Sequence, residues 1–532
     1  MIPLSELERF ISDFEGRLAP VEKAADEAWW TLATSGTEEA QEEFVGAGRE
    51  YTKLFSDPGE YEKLRSLYED PDAAESPLLR RRVEVLYRMF AERQGDEESL
   101  GRVEELEAEA NAIYGNHRSV VGGTKLGENE VRELLRSSED QDLRKEAWEA
   151  SKSVGGEVKE TVRELARLRN QLAREQGYAN YYDRSLELQE IGAGELAGIM
   201  DELESATEAP FRELKKDIDE ELKAKFDVDE IMPWHLSGPF FHRAPEAAGI
   251  DLDRYFEGRN LEDLTRKTFD GLGLDVRGVI SRSDLYEREG KNQHAFCARI
   301  GREYPYDVRV LANLRPDAYW TGAMLHEFGH AVYDRHVNPR LPYLLRTYAH
   351  ANTTEAIALM MGALVDDPGW LRSVAGAKGE DLNEDAEKLA VHRKVDRLTL
   401  ARFVLVMYNF EQALYADPES DKLNSRWWDL VERFLFVDRP PGRDEPDWAA
   451  VIHVAVAPVY YHNYMLGELI SAQLRNYLES HITHGPFYEN EVAGRYLLES
   501  FFGPGARENW RDTVLRATGE PLNPKHFVES LG

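Results

Sequence analysis

The chain holds one cysteine, Cys297, in 532 residues. No internal disulfide can form, which excludes the disulfide-stapled secreted scaffolds. Long hydrophobic runs are missing too. The best, 356–365, has the length of a buried helix and falls short of a membrane span. The opening residues, Met1-Ile2-Pro3-Leu4-Ser5-Glu6, show no basic stretch followed by an apolar one, so a secretory leader is not expected. These shortages together predict a cytoplasmic protein without a membrane partner. Lysine is scarce as well: 18 among 65 basic residues, set against 100 acidic ones, for a net charge of −35. A surface of that sign repels phosphate, so nucleic acid is not an expected partner. A salt-rich habitat and an arginine-biased composition would both produce the shortage of lysine.

Solenoid repeats, low-complexity tracts and flexible interdomain linkers are likewise absent, and no motif specifies an oligomeric state. What is present is 42% hydrophobic residues, enough for a substantial core, in a pattern that is mostly helical. Over 139–177, Leu143, Ala147, Trp148, Val158, Val162, Leu165, Leu168 and Leu172 fall on one helical face. Residues 5–34 and 98–113 read the same way, with charge on the outer face. Later helices are expected over 395–416, 425–435 and 458–479. Proline and glycine mark loops at 233–245, 366–369 and 439–442. The strand signals are short, 294–300 and 307–314, and read as a hairpin. The expected fold class is mainly α, with a small β-sheet.

Directly after the hairpin comes His326-Glu327-Phe328-Gly329-His330, an HExxH sequence. Its two imidazoles stand one helical turn apart, project from one face and can bind the same metal ion. Glu327 points at the water that such a metal would carry. Ala323, Met324, Leu325, Ala331 and Val332 make the helix apolar, so its polar groups need a partner, which a metal supplies. A catalytic zinc takes three protein ligands and keeps one open position. His336 has the metzincin spacing, but Tyr333 occupies the place where that class turns the chain with Gly. Asp334 is out of register, and Asp366 and Asp367 sit at a polar helix end. Glu355 leads the apolar stretch 355–362 and needs a partner if it points inward. The expected metal set is therefore His326, His330 and Glu355, and two His with one carboxylate suit Zn2+ best. Further on, 453–464 gathers His453, Tyr460, Tyr461, His462 and Tyr464, with Glu468 one turn beyond Tyr464. By itself that segment reads equally as a core aromatic stripe or as donors for an oxyanion.

In these motifs the chain resembles the angiotensin-converting-enzyme (peptidyl-dipeptidase A) family of gluzincin metallopeptidases. Residues 326–333 resemble its zinc helix, and Thr354-Glu355-Ala356-Ile357 its third-ligand helix. Gln293-His294-Ala295-Phe296-Cys297 resembles the edge strand that pairs with substrate backbone, and His453, Tyr461 and Tyr464 resemble the late His and Tyr pair. Softer similarity covers 142–189 and 232–236. The wording of the HExxH and the Tyr461, Tyr464, Glu468 spacing are also similar to the thimet-oligopeptidase family. The resemblance implies one two-lobed peptidase domain over 1–532, a helical ellipsoid with a deep central cleft and lid helices within 1–115. It implies Zn2+ on His326, His330 and Glu355, with Glu327 as general base and then acid. Tyr464 and His453 would hold the oxyanion and a nearby carbonyl, and Tyr461 the terminal region of the peptide. The backbone at His294 and Ala295 would hold the peptide as an added strand.

Three positions depart from that family. Leu359 stands where an Asp orients the first zinc His, Val451 where a Lys anchors the substrate's C-terminal carboxylate, and Asn463 where an Arg belongs to a chloride site. The expected function is zinc-dependent hydrolysis of short unfolded peptides, with release of C-terminal dipeptides. Val451 favours an alternative, an oligoendopeptidase that ignores the terminus. A non-catalytic peptide-binding scaffold would predict damaged ligands, yet all three ligands and the base are present.

Overall fold

Several helices in this chain start where a short polar side chain takes the first free N–H groups. Asp140 accepts from the Leu143 N–H at 3.0 Å and opens helix Gln141–Glu175. Ala147, Trp148, Val158, Val162, Leu165 and Leu172 then form its buried stripe. Asp317 accepts from the Trp320 N–H at 2.7 Å and opens helix Ala318–His336 in the same way. The computed structural model describes residues 4–70, 72–74, 76–241 and 250–531. Among the described residues there are 21 α-helices and two two-stranded antiparallel sheets, so the chain is mainly α. No described helix is long and apolar enough to cross a membrane.

The helices expected over 5–34, 98–113 and 425–435 are Leu4–Ser35, Glu97–Asn116 and Leu423–Leu435. The one expected over 395–416 is the later part of Gly379–Ala416. The helix expected from 458 begins only at His462 and ends at Tyr477. Its start is delayed because Val459 sits at φ 54°, outside the right-handed helical region.

Strand β1 (Ser119–Val121) pairs with β2 (Thr124–Leu126) across Gly122-Gly123, whose φ values are 57° and 77°. Positive φ at both turn residues is what a tight two-residue hairpin needs. Three-residue strands are too short for alternation to reveal, and this pair was not expected. Strand β3 (Phe296–Ile300) pairs with β4 (Asp307–Leu311), from Phe296 opposite Leu311 to Ile300 opposite Asp307. His294 and Ala295, placed in the strand expected over 294–300, therefore lie outside the observed one. Asn292 Oδ1 accepts from the His294 N–H at 2.9 Å, and Asn313 Nδ2 donates to the Asn292 carbonyl at 3.0 Å. These side-chain bonds hold the chain in a bend until Phe296.

Contacts divide the chain into two units. The first comprises the stretch up to Gln94, Asp251–Ala386 and Leu466–Phe527; the second comprises Gly95–Ile250, Glu387–Met465 and the stretch from Val528. The segment 1–115 is thus shared between them, changing unit after Gln94. In the first unit, helix Leu4–Ser35 is tied to the β3–β4 hairpin by buried charge. Glu22 accepts from Arg302 at 2.6 Å and from the Tyr343 hydroxyl at 2.7 Å, while Asp26 accepts from the Gly301 N–H at 2.9 Å. Arg299 of β3 pairs with Asp334 at 3.1 Å and so braces the hairpin against helix Ala318–His336.

Candidate metal centre and active site

The site in the first unit is built where two helices come unusually close. Gly329 lies on Ala318–His336, and a Cβ there would stand 2.7 Å from Ala358 Cα and 3.0 Å from the Ile357 carbonyl oxygen. Both contacts are backbone atoms of the facing helix, Ala351–Gly362, and neither can yield. Gly362 offers the reciprocal gap, where a Cβ would meet His326 Cβ at 3.4 Å. Small residues at these points let the His and Glu side chains reach a common centre.

His326 and His330 project one turn apart, with ring centroids 4.9 Å apart and ring planes at 83°. Helix Ala351–Gly362 starts four residues before Glu355, because His350 Nδ1 caps it by accepting from the Asn352 N–H at 3.1 Å. Glu355 is thus one turn into the helix, facing both rings. Its Oε1 lies 3.7 Å from His326 Nε2 and its Oε2 3.6 Å from His330 Nε2. One donor atom from each of the three falls within 4.8 Å of the others, and among the described residues this is the one such cluster. Donors about 2.1 Å from a tetrahedral zinc stand about 3.4 Å apart. The observed gaps are too long for hydrogen bonds and close to that spacing. A third glycine seats the carboxylate: a Cβ on Gly467 would lie 3.0 Å from Glu355 Cγ and 3.2 Å from Leu359 Cδ1.

The electrostatics suit a cation. Burial lowers His326 to about 4. Burial, with the neighbouring His326 ring, lowers His330 to about 3. Both rings are therefore neutral at pH 7, with a lone pair to offer. Burial raises Glu355 to about 7, and Glu468 adds to the rise. Glu327 is buried and raised to about 8, first by desolvation and then by Glu355; the Cys297 backbone N–H works in the opposite direction. A divalent ion at the three donors would favour the ionised form of both carboxyls. The residues present fit zinc.

One supporting residue escaped the sequence reading. Thr354 Oγ1 lies 2.7 Å from His330 Nδ1, which leaves Nε2 as the atom facing Glu355. Its only signal in the sequence is its place immediately before Glu355, where it reads as an ordinary helix-start residue. Leu359 lies against the Gly467 position and brings no polar atom to the rings. The discarded ligand candidates have other roles. His336 Nδ1 is 2.8 Å from the Val332 carbonyl, Asp334 pairs with Arg299, and Asp367 caps Trp370 at 3.0 Å and pairs with Arg475 at 2.7 Å.

The second unit gathers the other expected group. His453 lies on the short helix Ile452–Val456, Tyr461 directly before helix His462–Tyr477, and Tyr464 in its first turn. Ring centroids are 4.9 Å apart for His453 and Tyr461, 6.1 Å for His453 and Tyr464, and 5.2 Å for the two tyrosines. Burial lowers His453 from the usual imidazole value. Val451 is buried two residues earlier and carries no charge.

A family model described as angiotensin-converting enzyme matches residues 4–224 and 305–526. The matched segments contain His326, Glu327, His330, Glu355, His453, Tyr461 and Tyr464; His294 and Ala295 fall between them. No curated protein matches the chain.

Proposed function

The chain belongs to the angiotensin-converting-enzyme family of zinc metallopeptidases, and on that premise we propose that it removes dipeptides from the C-termini of short unfolded peptides. The observation that carries the hydrolytic part is the convergence of His326, His330 and Glu355 beside a buried Glu327. Zinc bound by the three donors supplies a Lewis acid and lowers the pKa of water. The remaining chemistry belongs to this chain's own groups. The Glu327 carboxylate takes a proton from the attacking water and then hands it to the leaving amine nitrogen. Its neighbour in sequence, Phe328, is fully buried against Phe269, with ring centroids 6.3 Å apart. The Tyr464 hydroxyl and His453 are assigned to the oxyanion that develops on the scissile carbonyl, and Tyr461 to the peptide terminus. The edge of β3 that pairs with no other strand among the described residues, with the bend at His294 and Ala295, is assigned to the peptide backbone.

Val451 favours a second reading, an oligoendopeptidase that needs no free terminus. A buried valine offers a terminal carboxylate no cation. Mass spectrometry of products from peptides with free and amidated C-termini separates the two. Dipeptide release that collapses on amidation supports the first reading. Equal cleavage at internal bonds replaces it with the second.

A further inference from the structure

A strained point of the second unit is Val459. Among the described non-glycine residues with positive φ it alone is β-branched, at 54°, a region such residues rarely adopt. It is fully buried. Both polar groups of its backbone are held by side chains from elsewhere. The Val459 N–H donates to Glu411 Oε1 at 2.6 Å, and Gln189 Nε2 donates to the Val459 carbonyl at 3.0 Å. Glu411 is itself buried on helix Gly379–Ala416. Gln189 follows helix Tyr181–Leu188 and is oriented by Asn463 Nδ2, which donates to its Oε1 at 2.7 Å. A third grip comes from Arg169, which donates to the Ala455 carbonyl at 2.8 Å.

These contacts fall between His453 and Tyr464, where the chain turns from the short helix Ile452–Val456 into helix His462–Tyr477. A buried carboxylate that merely satisfied a loop N–H would need no left-handed valine. Here the bond and the strain coincide at the bend that brings the His453 ring against Tyr461 and Tyr464. We propose that Glu411 and Gln189 are positioning residues for the peptidase reaction, holding Val459 left-handed so that His453 and Tyr464 keep their mutual geometry. The proposal rests on the reading that Tyr464 and His453 serve the oxyanion.

The test uses the full zinc-loaded protein and a quenched-fluorescent peptide, with kcat, KM and melting temperature measured for each variant. Glu411→Ala is expected to lower kcat about tenfold or more with KM changed less than about twofold. Glu411→Gln keeps an oxygen that accepts from the Val459 N–H and retains most of kcat. Adding Val459→Gly to Glu411→Ala restores kcat, because glycine adopts this backbone without a clamp. Gln189→Ala carries the same expectation as Glu411→Ala and replaces it if that variant does not fold. An unchanged kcat with only a lower melting temperature overturns the proposal, as does a double variant no better than Glu411→Ala. Tyr464→Phe is the control. If it leaves kcat intact, the oxyanion reading fails and the proposal falls with it. If it lowers kcat while Glu411→Ala does not, the proposal alone fails.

Discussion

The helix pair that carries His326, His330 and Glu355 and the segment 453–464 position their candidate functional groups by opposite means. The first uses regular backbone and removes side chains. Gly329, Gly362 and Gly467 are gaps that let helices and ligands approach. The second uses irregular backbone and adds polar side chains, with Glu411, Gln189 and Arg169 pinning a bend that no regular element would make. Ligands that repeat at helical spacing need only register and close packing. Rings drawn from a short helix and from the start of a longer one need a bend, and the bend must be held.

Four substitutions probe the helix-pair half of that comparison, from the largest effect downward. Glu327→Gln should retain zinc, measured as metal content, and lose about 10²- to 10⁴-fold in kcat. Turnover near the parent rate would mean another group moves the proton. Thr354→Val removes the hydroxyl at His330 Nδ1 and should weaken zinc binding about 10- to 100-fold in a chelator competition. Undiminished affinity would show that helix packing alone orients the ring. Gly329→Ala tests the gap itself. Alanine normally stabilises a helix interior by about 1 kcal/mol over glycine. Overpacking against Ala358 should reverse the sign, for a net loss of about 1–3 kcal/mol in denaturant unfolding. A stabilised variant would show that the two helices can separate freely. Asp317→Ala should cost about 1 kcal/mol through the lost cap and leave zinc affinity unchanged, since it touches the helix start and no ligand.

Much of the candidate metal centre was legible from spacing. His326 and His330 announce themselves because the helical repeat puts i and i+4 on one face, and Glu355 because an acid in an apolar helix asks for a partner. The exclusion of His336 followed from Tyr333, and the structure gives that ring a bond to Val332 within its own helix. The hairpin was legible as well, but its first strand was read two residues too long at the start and its second, expected over 307–314, past its end at Leu311. Asn292 and Asn313 bend the backbone at His294 by side-chain bonds that alternation does not register. Thr354 went unread because a polar residue near a helix start has an ordinary local explanation. Val459 went unread because nothing in a valine signals positive φ; the groups that impose it stand at 189 and 411.

The sequence by itself determined the helical class, the residue types of the candidate metal site and their spacing, and the carboxylate beside the first of them. Periodicity and i, i+4 geometry are local, so local order suffices to read them. Tertiary structure alone decided how near the two helices come, which hydroxyl orients His330, and how the bend at Val459 is held. Each of those depends on atoms far apart in the chain, whose meeting is settled by packing and by the need to satisfy buried polar groups.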